Sequence, residues 1–400
     1  MPRPSQEEVA TAVEAFVAAG ERFAVRSGGH TNWAGSNNIE GGVTIDLGLL
    51  DQTKFDEASE IASIGPGARW RQVYAELQKY GRVVAGGREG SVGVAGLLLG
   101  GGNTFFTAWK GFACDNIVSY EVVLADGGIV TADAVNNTDL FRVLKGGSNN
   151  FGIVTNFKMS SIPCDKVWGG MTFFPKQVVP GAIDALVSFT ENVENDVESN
   201  PVCIITYMPD FKDIVIATLY AQVRGIERAP AYKQWLELPE MMNTVKMTSV
   251  SEMASEYNIP AQYHDTWFTT CFKNDTRIIT KASQLHEQLV EEIKALIPDG
   301  DFITQCLFQP LPRILAQNSV TAGGNIMGVE QHQHNGILFL VVAMVRIPEQ
   351  ARFAEPKVKS WIEMVQEFAK TLDRDLQWTY LNYADKSENP RRRRLQTSNG

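Results

Sequence analysis

The 400-residue sequence predicts an α+β chain of two domains. Three observations lead there. Up to Pro163, short strand-like apolar runs follow one another with brief amphipathic helices between them. Beyond Pro163, long apolar strands alternate with long helices, the pattern of a sheet covered by helices. Content that is 44% hydrophobic and 20% charged is enough for two separate cores.

Each element has a local reason. Ser5-Gln6-Glu7-Glu8 has capping-box spacing, Val9, Val13, Phe16 and Val17 follow at helical intervals, and Gly20 stops the helix. Strands are expected at Phe23 to Arg26, Val43 to Leu47 and Ile61 to Ile64. "ARWRQVYAELQKYG" reads as a helix with Trp70, Val73, Leu77 and Tyr80 on one face. "IVSYEVVLADGGIV" reads as a hairpin about Asp126-Gly127-Gly128. After Pro163, strands are expected at Val167 to Phe174, Val202 to Met208, Ile214 to Val223 and Ile337 to Ile347. "SQLHEQLVEEIKALI" and "KVKSWIEMVQEFAKTL" are the covering helices, the second with Val358, Trp361, Ile362, Val365, Phe368 and Leu372 inward. The expected division is 1–163, 164–375 and a closing segment 376–400.

Composition excludes several functions. A net charge of −10 argues against nucleic acid as partner, because phosphate-backbone affinity rests on clustered Lys and Arg. No apolar window is long enough for a membrane span, and "MPRPSQEEV" lacks a signal-peptide pattern, so the expected partner is a small molecule. The sequons at Asn136 and Asn274 read as chance occurrences. Cys114, Cys164, Cys203, Cys271 and Cys306 form no Cys-x-x-Cys pair, which disfavours zinc or a disulfide framework; those in apolar runs are expected to pack in the core. His332 and His334 in "EQHQHNG" read as a polar rim or an exposed loop, and no metal is expected. His264 and His286 belong to no motif.

The glycines are the strongest signal. In "GGREGSVGVAGLLLGGG", Gly86 to Gly102, eight of 17 residues are Gly, an entropic cost that a ligand lying on bare backbone would offset. The chain has no Gly-Lys dipeptide, which excludes a Walker loop, and Gly65-Pro66-Gly67 lacks the third Gly of a dinucleotide fingerprint. There remain three glycine turns beside strands: Ser27-Gly28-Gly29, Gly100-Gly101-Gly102 and Gly146-Gly147. Backbone N–H groups in such turns form nests for anionic oxygens, and a pyrophosphate fits that description.

"RFAVRSGGHTNWAGSNN", "GVTIDLGLL", "ASIGPGARWRQVYAEL", "VVAGGREGSVGVAGLLLGGGNTFF", "GFACDNIVSYEVVLADGGIVTA" and "DLFRVLKGGSNNFGIVTNF" resemble, in order and spacing, the flavin domain of the vanillyl-alcohol oxidase superfamily. Within it they are most similar to fungal FAD-linked oxidoreductases related to berberine bridge enzyme. The resemblance implies a PCMH-type FAD-binding fold followed by a substrate domain of antiparallel sheet covered by helices. It implies that Arg26, Ser27, Gly28, Gly29, His30 and Thr31 form the turn holding the FAD pyrophosphate. His30 would bond the flavin through its 8α-methyl group. Val94, Gly96, Gly100, Gly101 and Gly102, with Gly152, Ile153 and Val154, would line the cofactor through backbone. Many relatives attach the flavin a second time through a cysteine; here Glu89 stands at that position and no Cys precedes Cys114, so histidyl attachment alone is expected. Cys114 is expected to pack, and Asp115 and Asn116 to form a turn, with hydrogen bonding to the loop as the alternative.

The implied chemistry is hydride transfer from a substrate C–H bond to FAD, with a base removing the neighbouring proton. In Tyr380-Leu381-Asn382-Tyr383-Ala384-Asp385, Tyr383 is the first candidate for that base and Tyr380 the second; two tyrosines packing at a strand end is the alternative. The substrate would be a small organic molecule, a fungal secondary metabolite or a sugar, with molecular oxygen as a candidate acceptor. Arg391 to Arg394 and the early stop at Gly400 depart from the family and admit a second reading, a flavin-binding but inactive member. Localisation and oligomeric state stay open; many relatives are secreted.

Overall fold

The computed structural model describes residues 5–31, 33, 35–256, 260–388 and 390. The Arg391–Arg394 run lies outside the described residues. The chain divides into two compact units: Met1–Lys166 with Thr248–Ile259 and Gln317–Gly328, and Val167–Met247 with Pro260–Ala316 and Val329–Gly400.

In the first unit, helix α1 (Gln6–Ala19) starts at Ser5, whose N–H donates to Glu8 Oε2 at 2.9 Å, and ends at Gly20 with φ 64°. Its buried residues are Val9, Ala10 and Val13; Val17, expected on that face, is 52% exposed because the last turn runs past the edge of the core. Strands β1 (Phe23–Arg26) and β2 (Val43–Asp46) pair in parallel. A second sheet holds β3 (Thr53–Asp56), β4 (Ile61–Ile64), β5 (Ile117–Val123), β6 (Ile129–Asp133) and β7 (Ile153–Ser160) in the order β3-β4-β7-β5-β6. The β5–β6 hairpin turns at Leu124–Gly128, where Gly127 has φ 79° and Asp126 Oδ1 accepts from Gly128 N–H. Helix α2 (Trp70–Gln78) buries Trp70, Val73, Tyr74 and Leu77, whereas Tyr80 falls beyond its end and is exposed.

Two segments from late in the chain complete this unit, and the expected single boundary at Pro163 missed both. The helix Val250–Glu256 packs against α2, and Ala254 O accepts from Gly90 N–H at 2.8 Å. The segment 317–328 is fastened by Asp115, which accepts from Ser319 Oγ at 2.5 Å, Asn325 Nδ2 at 3.0 Å and Phe112 N–H at 2.9 Å. Asp115 is therefore a buried hydrogen-bond hub, the alternative of the two expected readings rather than a turn former alone. Burial raises its carboxyl pKa, against those hydrogen bonds and the nearby Lys145 ammonium.

The second unit is built on an antiparallel sheet, eight-stranded among the described residues. Its long strands are β8 (Val167–Pro175), β9 (Ser199–Met208), β10 (Asp213–Gln222), β11 (His264–Lys273), β12 (Ile303–Leu311) and β13 (Gly336–Val345), ordered β8-β10-β9-β12-β13-β11. Strands β11 and β12 were not among those read from the sequence. Helices α3 (Val179–Asn192), α4 (Thr276–Leu296) and α5 (Pro348–Thr371) accompany the sheet. The described part of the closing segment packs on this sheet: Leu376 N–H donates to Cys271 O and Thr269 N–H to the Glu388 carboxylate. Cys114, Cys203, Cys271 and Cys306 are buried thiols, as the apolar runs imply.

His286 on α4 is fully buried, its Nε2 2.7 Å from Thr304 Oγ1, its ring stacked on Trp361, and its Nδ1 without a partner. Burial pushes its pKa down to about 3. Below the ordinary histidine value of about 6.5, the unfolded chain takes up a proton that the folded chain refuses, so acidification destabilises the fold. Between pH 7 and pH 4, urea midpoints of the wild type should fall more steeply than those of His286→Gln; parallel curves would contradict this reading.

Candidate functional site

The turn after β1 is held on both sides. Arg26 Nη2 meets Asp46 Oδ2 at 2.6 Å across the β1–β2 pair, and that guanidinium keeps the Asp46 carboxyl below its usual range. Ser27 Oγ donates to Pro66 O at 2.5 Å. Gly28 lies against Gly93: a Cβ on Gly28 would stand 2.5 Å from Gly93 Cα and 2.6 Å from Gly93 N. Gly29 has φ 64°, a left-handed conformation that a side chain would strain. The N–H groups of Gly28, Gly29 and Thr31 donate to no other described residue. Three consecutive-region donors left open on a concave turn are what an anionic oxygen requires.

His30 follows and is exposed to solvent. Burial lowers its pKa, the Glu89 carboxylate opposes that and the Arg69 guanidinium adds to it. Arg69 donates from Nη1 to Ser91 O at 2.6 Å and pairs its backbone with Gly93. Glu89 is 6% exposed and accepts from Ser91 N–H at 3.1 Å and from Ser91 Oγ at 2.8 Å. A cavity of about 520 Å³ opens beside this turn, lined by Arg26, Ser27, Gly28, Gly29, Asp46, Gly48, Asp51, Gly67, Arg69 and Gln72. Arg69 was not among the expected cofactor residues; its separation in sequence from Arg26 hides that both line one cavity.

Most glycines of the Gly86–Gly102 block answer to protein, which corrects the expectation that a ligand offsets their cost. A Cβ on Gly86 or Gly87 would strike the Trp70 ring, one on Gly90 the Ala254 carbonyl, and one on Gly102 Leu97 and Ala113. Gly96, in the short helix Val94–Leu99, is different: a Cβ there would meet nothing within 4 Å. Val94 is fully buried, with its N–H on Ala68 O. Gly100 and Gly101 donate to Gly96 O and Leu98 O, so those two amides are already used. Gly146 and Gly147 pack on Met327 and on Val143 O, and Gly152, with φ 135°, on Val122 and Val123 O. Ile153 and Val154 pair with Val123 and Val122 within the β5–β7 ladder.

The candidate tyrosines lie in the second unit. Tyr380 is 1% exposed, its ring 4.9 Å edge-on from Tyr383 and stacked on Trp378. Tyr383 is half-buried and donates from its hydroxyl to Gln309 Oε1 on β12 at 3.3 Å. His332 meets Trp378 edge-on, and burial takes its pKa down to about 4; His334 is exposed. Among the described residues no group of three or more His, Cys, Asp or Glu is placed to hold a metal ion, and no helix is long and apolar enough to cross a membrane.

Residues 4–133 match a family model described as an FAD binding domain. The chain is 36% identical over 371 residues to an FAD-dependent monooxygenase of Aspergillus calidoustus, covering 92% of this chain and 70% of that protein. It is 33% identical over 395 residues to another FAD-dependent monooxygenase, of Emericella nidulans, covering 97% and 82%. Among solved structures, 6-hydroxy-D-nicotine oxidase of Arthrobacter nicotinovorans superposes with a TM-score of 0.77 at 20% identity, over 96% of this chain and 82% of that one. A berberine bridge enzyme variant gives 0.74 at 18%, over 95% and 77%. These two likenesses establish the fold, an α+β arrangement with a large antiparallel sheet covered by helices.

The two kinds of glycine separate by experiment. Gly86→Ala should cost about 1–3 kcal/mol by overpacking Trp70, while Gly96→Ala, in open helical surroundings, should leave apo-protein stability unchanged or raise it by up to about 1 kcal/mol. Chemical denaturation of both variants checks this; equal losses would refute it.

Proposed function

The chain belongs to the FAD-linked oxidoreductases with a PCMH-type FAD-binding domain, in the berberine bridge enzyme-like group, and is an FAD-dependent oxidoreductase; we propose that it bonds FAD through His30 alone and oxidises a small secondary metabolite. The observation that carries the attachment reading is the turn with open Gly28 and Gly29 amides, immediately before His30 and beside the Arg26–Arg69 cavity. Those donors fit a pyrophosphate, and Gly96 offers a further side-chain-free face. Attachment replaces an imidazole N–H and a C–H of the flavin 8α-methyl group by one N–C bond. The His30 imidazole would supply the nitrogen and give up its N–H proton, and dioxygen would be needed to take the two electrons and two protons released, as hydrogen peroxide. No cysteine precedes Cys114, so residues 1–113 offer no thiol for a second bond.

Bound FAD supplies a two-electron acceptor for a substrate C–H bond. The chain supplies binding and proton handling. Tyr383, whose hydroxyl donates to Gln309 Oε1, is the first candidate to take a proton from a substrate O–H or N–H. Tyr380, nearly inaccessible, holds the Tyr383 ring edge-on and is the lesser candidate. A second reading, monooxygenation, is favoured by the names of the Aspergillus and Emericella relatives. A carbohydrate substrate remains the alternative within the oxidase reading.

Purified protein should stay yellow in the pellet after acid precipitation, and the proteolytic peptide containing His30 should carry the flavin mass; an unmodified His30 peptide from yellow protein overturns the attachment. Tyr383→Phe should lower kcat by about 10²–10⁴ with flavin content unchanged, measured as anaerobic bleaching by substrate. Turnover under ¹⁸O₂ divides the readings: label in the product means monooxygenation, label only in peroxide means oxidation. A flavin that no candidate metabolite or sugar bleaches would favour the inactive member.

A further inference from the structure

Arg69 is a half-buried cation that the first unit leaves without a counter-charge. Among the described residues it joins no ion pair, whereas Arg26, the other guanidinium of the cavity, is bound to Asp46 at 2.6 Å. Nη1 of Arg69 donates to Ser91 O at 2.6 Å, and its backbone N–H donates to Gln72 Oε1 at 2.9 Å. With the Arg69–Gly93 bridge, those bonds hold the side chain at root and tip. The other N–H donors of the guanidinium fork have no partner among the described residues. Partial burial of a charge without a counter-charge costs free energy, and a bound anion would offset that cost.

The turn after β1 sets where that fork lies. A Cβ on Gly28 would stand 3.0 Å from Arg69 Nη1, so the guanidinium packs on the bare face of the turn whose Gly28 and Gly29 amides are open. Turn and guanidinium line the same cavity. The other charged residues of its lining are Arg26 and Asp46, which neutralise each other, and Asp51. Positive charge for a ligand in that cavity therefore falls to Arg69. Backbone amides orient an anion but carry no net charge; a guanidinium adds the charge and a planar pair of donors that matches two phosphate oxygens.

We infer that Arg69 is a specificity-determining residue for the cofactor, binding the anionic oxygens of the pyrophosphate seated on the Gly28 and Gly29 amides and so selecting a flavin that carries a pyrophosphate over one that does not. The inference rests on the reading of the Ser27–Thr31 turn as the pyrophosphate seat; it does not require the bond to His30. Ser91 O, by holding Nη1, sets the direction of the fork. A lysine at this position would bring the charge without the fork.

The test is a comparison of affinities in a His30→Ala background, which keeps the flavin noncovalent. Flavin-free protein is titrated with FAD and with riboflavin by flavin fluorescence, and ADP is measured by its displacement of FAD. Arg69→Gln should weaken FAD and ADP by about thirtyfold each and change riboflavin affinity by less than about threefold. Arg69→Lys should recover part of the loss, and FAD affinity should fall with added salt more steeply when Arg69 is present than in Arg69→Gln. If Arg69→Gln gives no folded protein, Arg69→Met takes its place with the same expectation. Unchanged FAD and ADP affinity, or an equal loss for FAD, ADP and riboflavin, overturns the inference. Gly28→Ala tests the turn separately, because its Cβ must displace the turn from Gly93. Loss of FAD affinity in Gly28→Ala with none in Arg69→Gln overturns the inference and leaves the turn reading intact; no loss in either overturns the turn reading as well.

Discussion

The first unit's candidate site depends on one backbone contact, the approach of Gly28 to Gly93. Neither residue tolerates a Cβ, because each would drive it to about 2.5 Å from the other's Cα. The contact fixes two segments at once. On one side is the turn that presents Gly29 and His30; on the other is the N-terminus of the Val94–Leu99 helix, for which Gly93 is the cap residue. The surrounding bonds all converge on it: Ser27 Oγ on Pro66 O, Trp70 N–H on Val92 O, Val94 N–H on Ala68 O, and the Arg69–Gly93 bridge. Close packing of backbone on backbone has few soft degrees of freedom, so the open amides of the turn keep a defined direction.

The same contact explains why charges far apart in sequence act together. Arg26 and Asp46 neutralise each other across a strand pair, and Arg69 enters from the start of α2. The Arg69 guanidinium and the Glu89 carboxylate act on His30 in opposite senses. A lowered pKa favours the neutral imidazole, whose ring nitrogen keeps a lone pair that can act as a nucleophile. The enclosing loops therefore shape reactivity as much as position.

Local patterns in the sequence were legible where they determine local structure. The capping box at Ser5–Glu8, the Asp-Gly-Gly hairpin and the apolar faces of α2 and α5 need only near neighbours, and the structure has them. Strands β11 and β12 were not read because their apolar runs are broken by polar residues such as Thr269, Gln305 and Gln309, which are buried or half-buried in the sheet. The segments 248–259 and 317–328 were invisible for a different reason. Their attachment rests on Ala254 O with Gly90 and on Asp115 with Ser319 and Asn325, pairs separated by 164 to 210 residues. No periodicity encodes such a pair.

The glycine-rich block teaches the sharper lesson. A run with eight glycines in 17 residues signals close approach, but not what approaches. At Gly86 and Gly87 it is the Trp70 indole, buried completely at the first turn of α2; at Gly90 it is a carbonyl from the Val250–Glu256 helix. Burying a tryptophan against bare backbone contributes on the order of 2–3 kcal/mol, enough to offset the ordering of two or three glycines without any ligand. At Gly96, by contrast, a Cβ would meet nothing within 4 Å. Glycine count thus overstates the ligand-facing surface, and the residues that discriminate are those whose missing side chain leaves space that no protein atom fills.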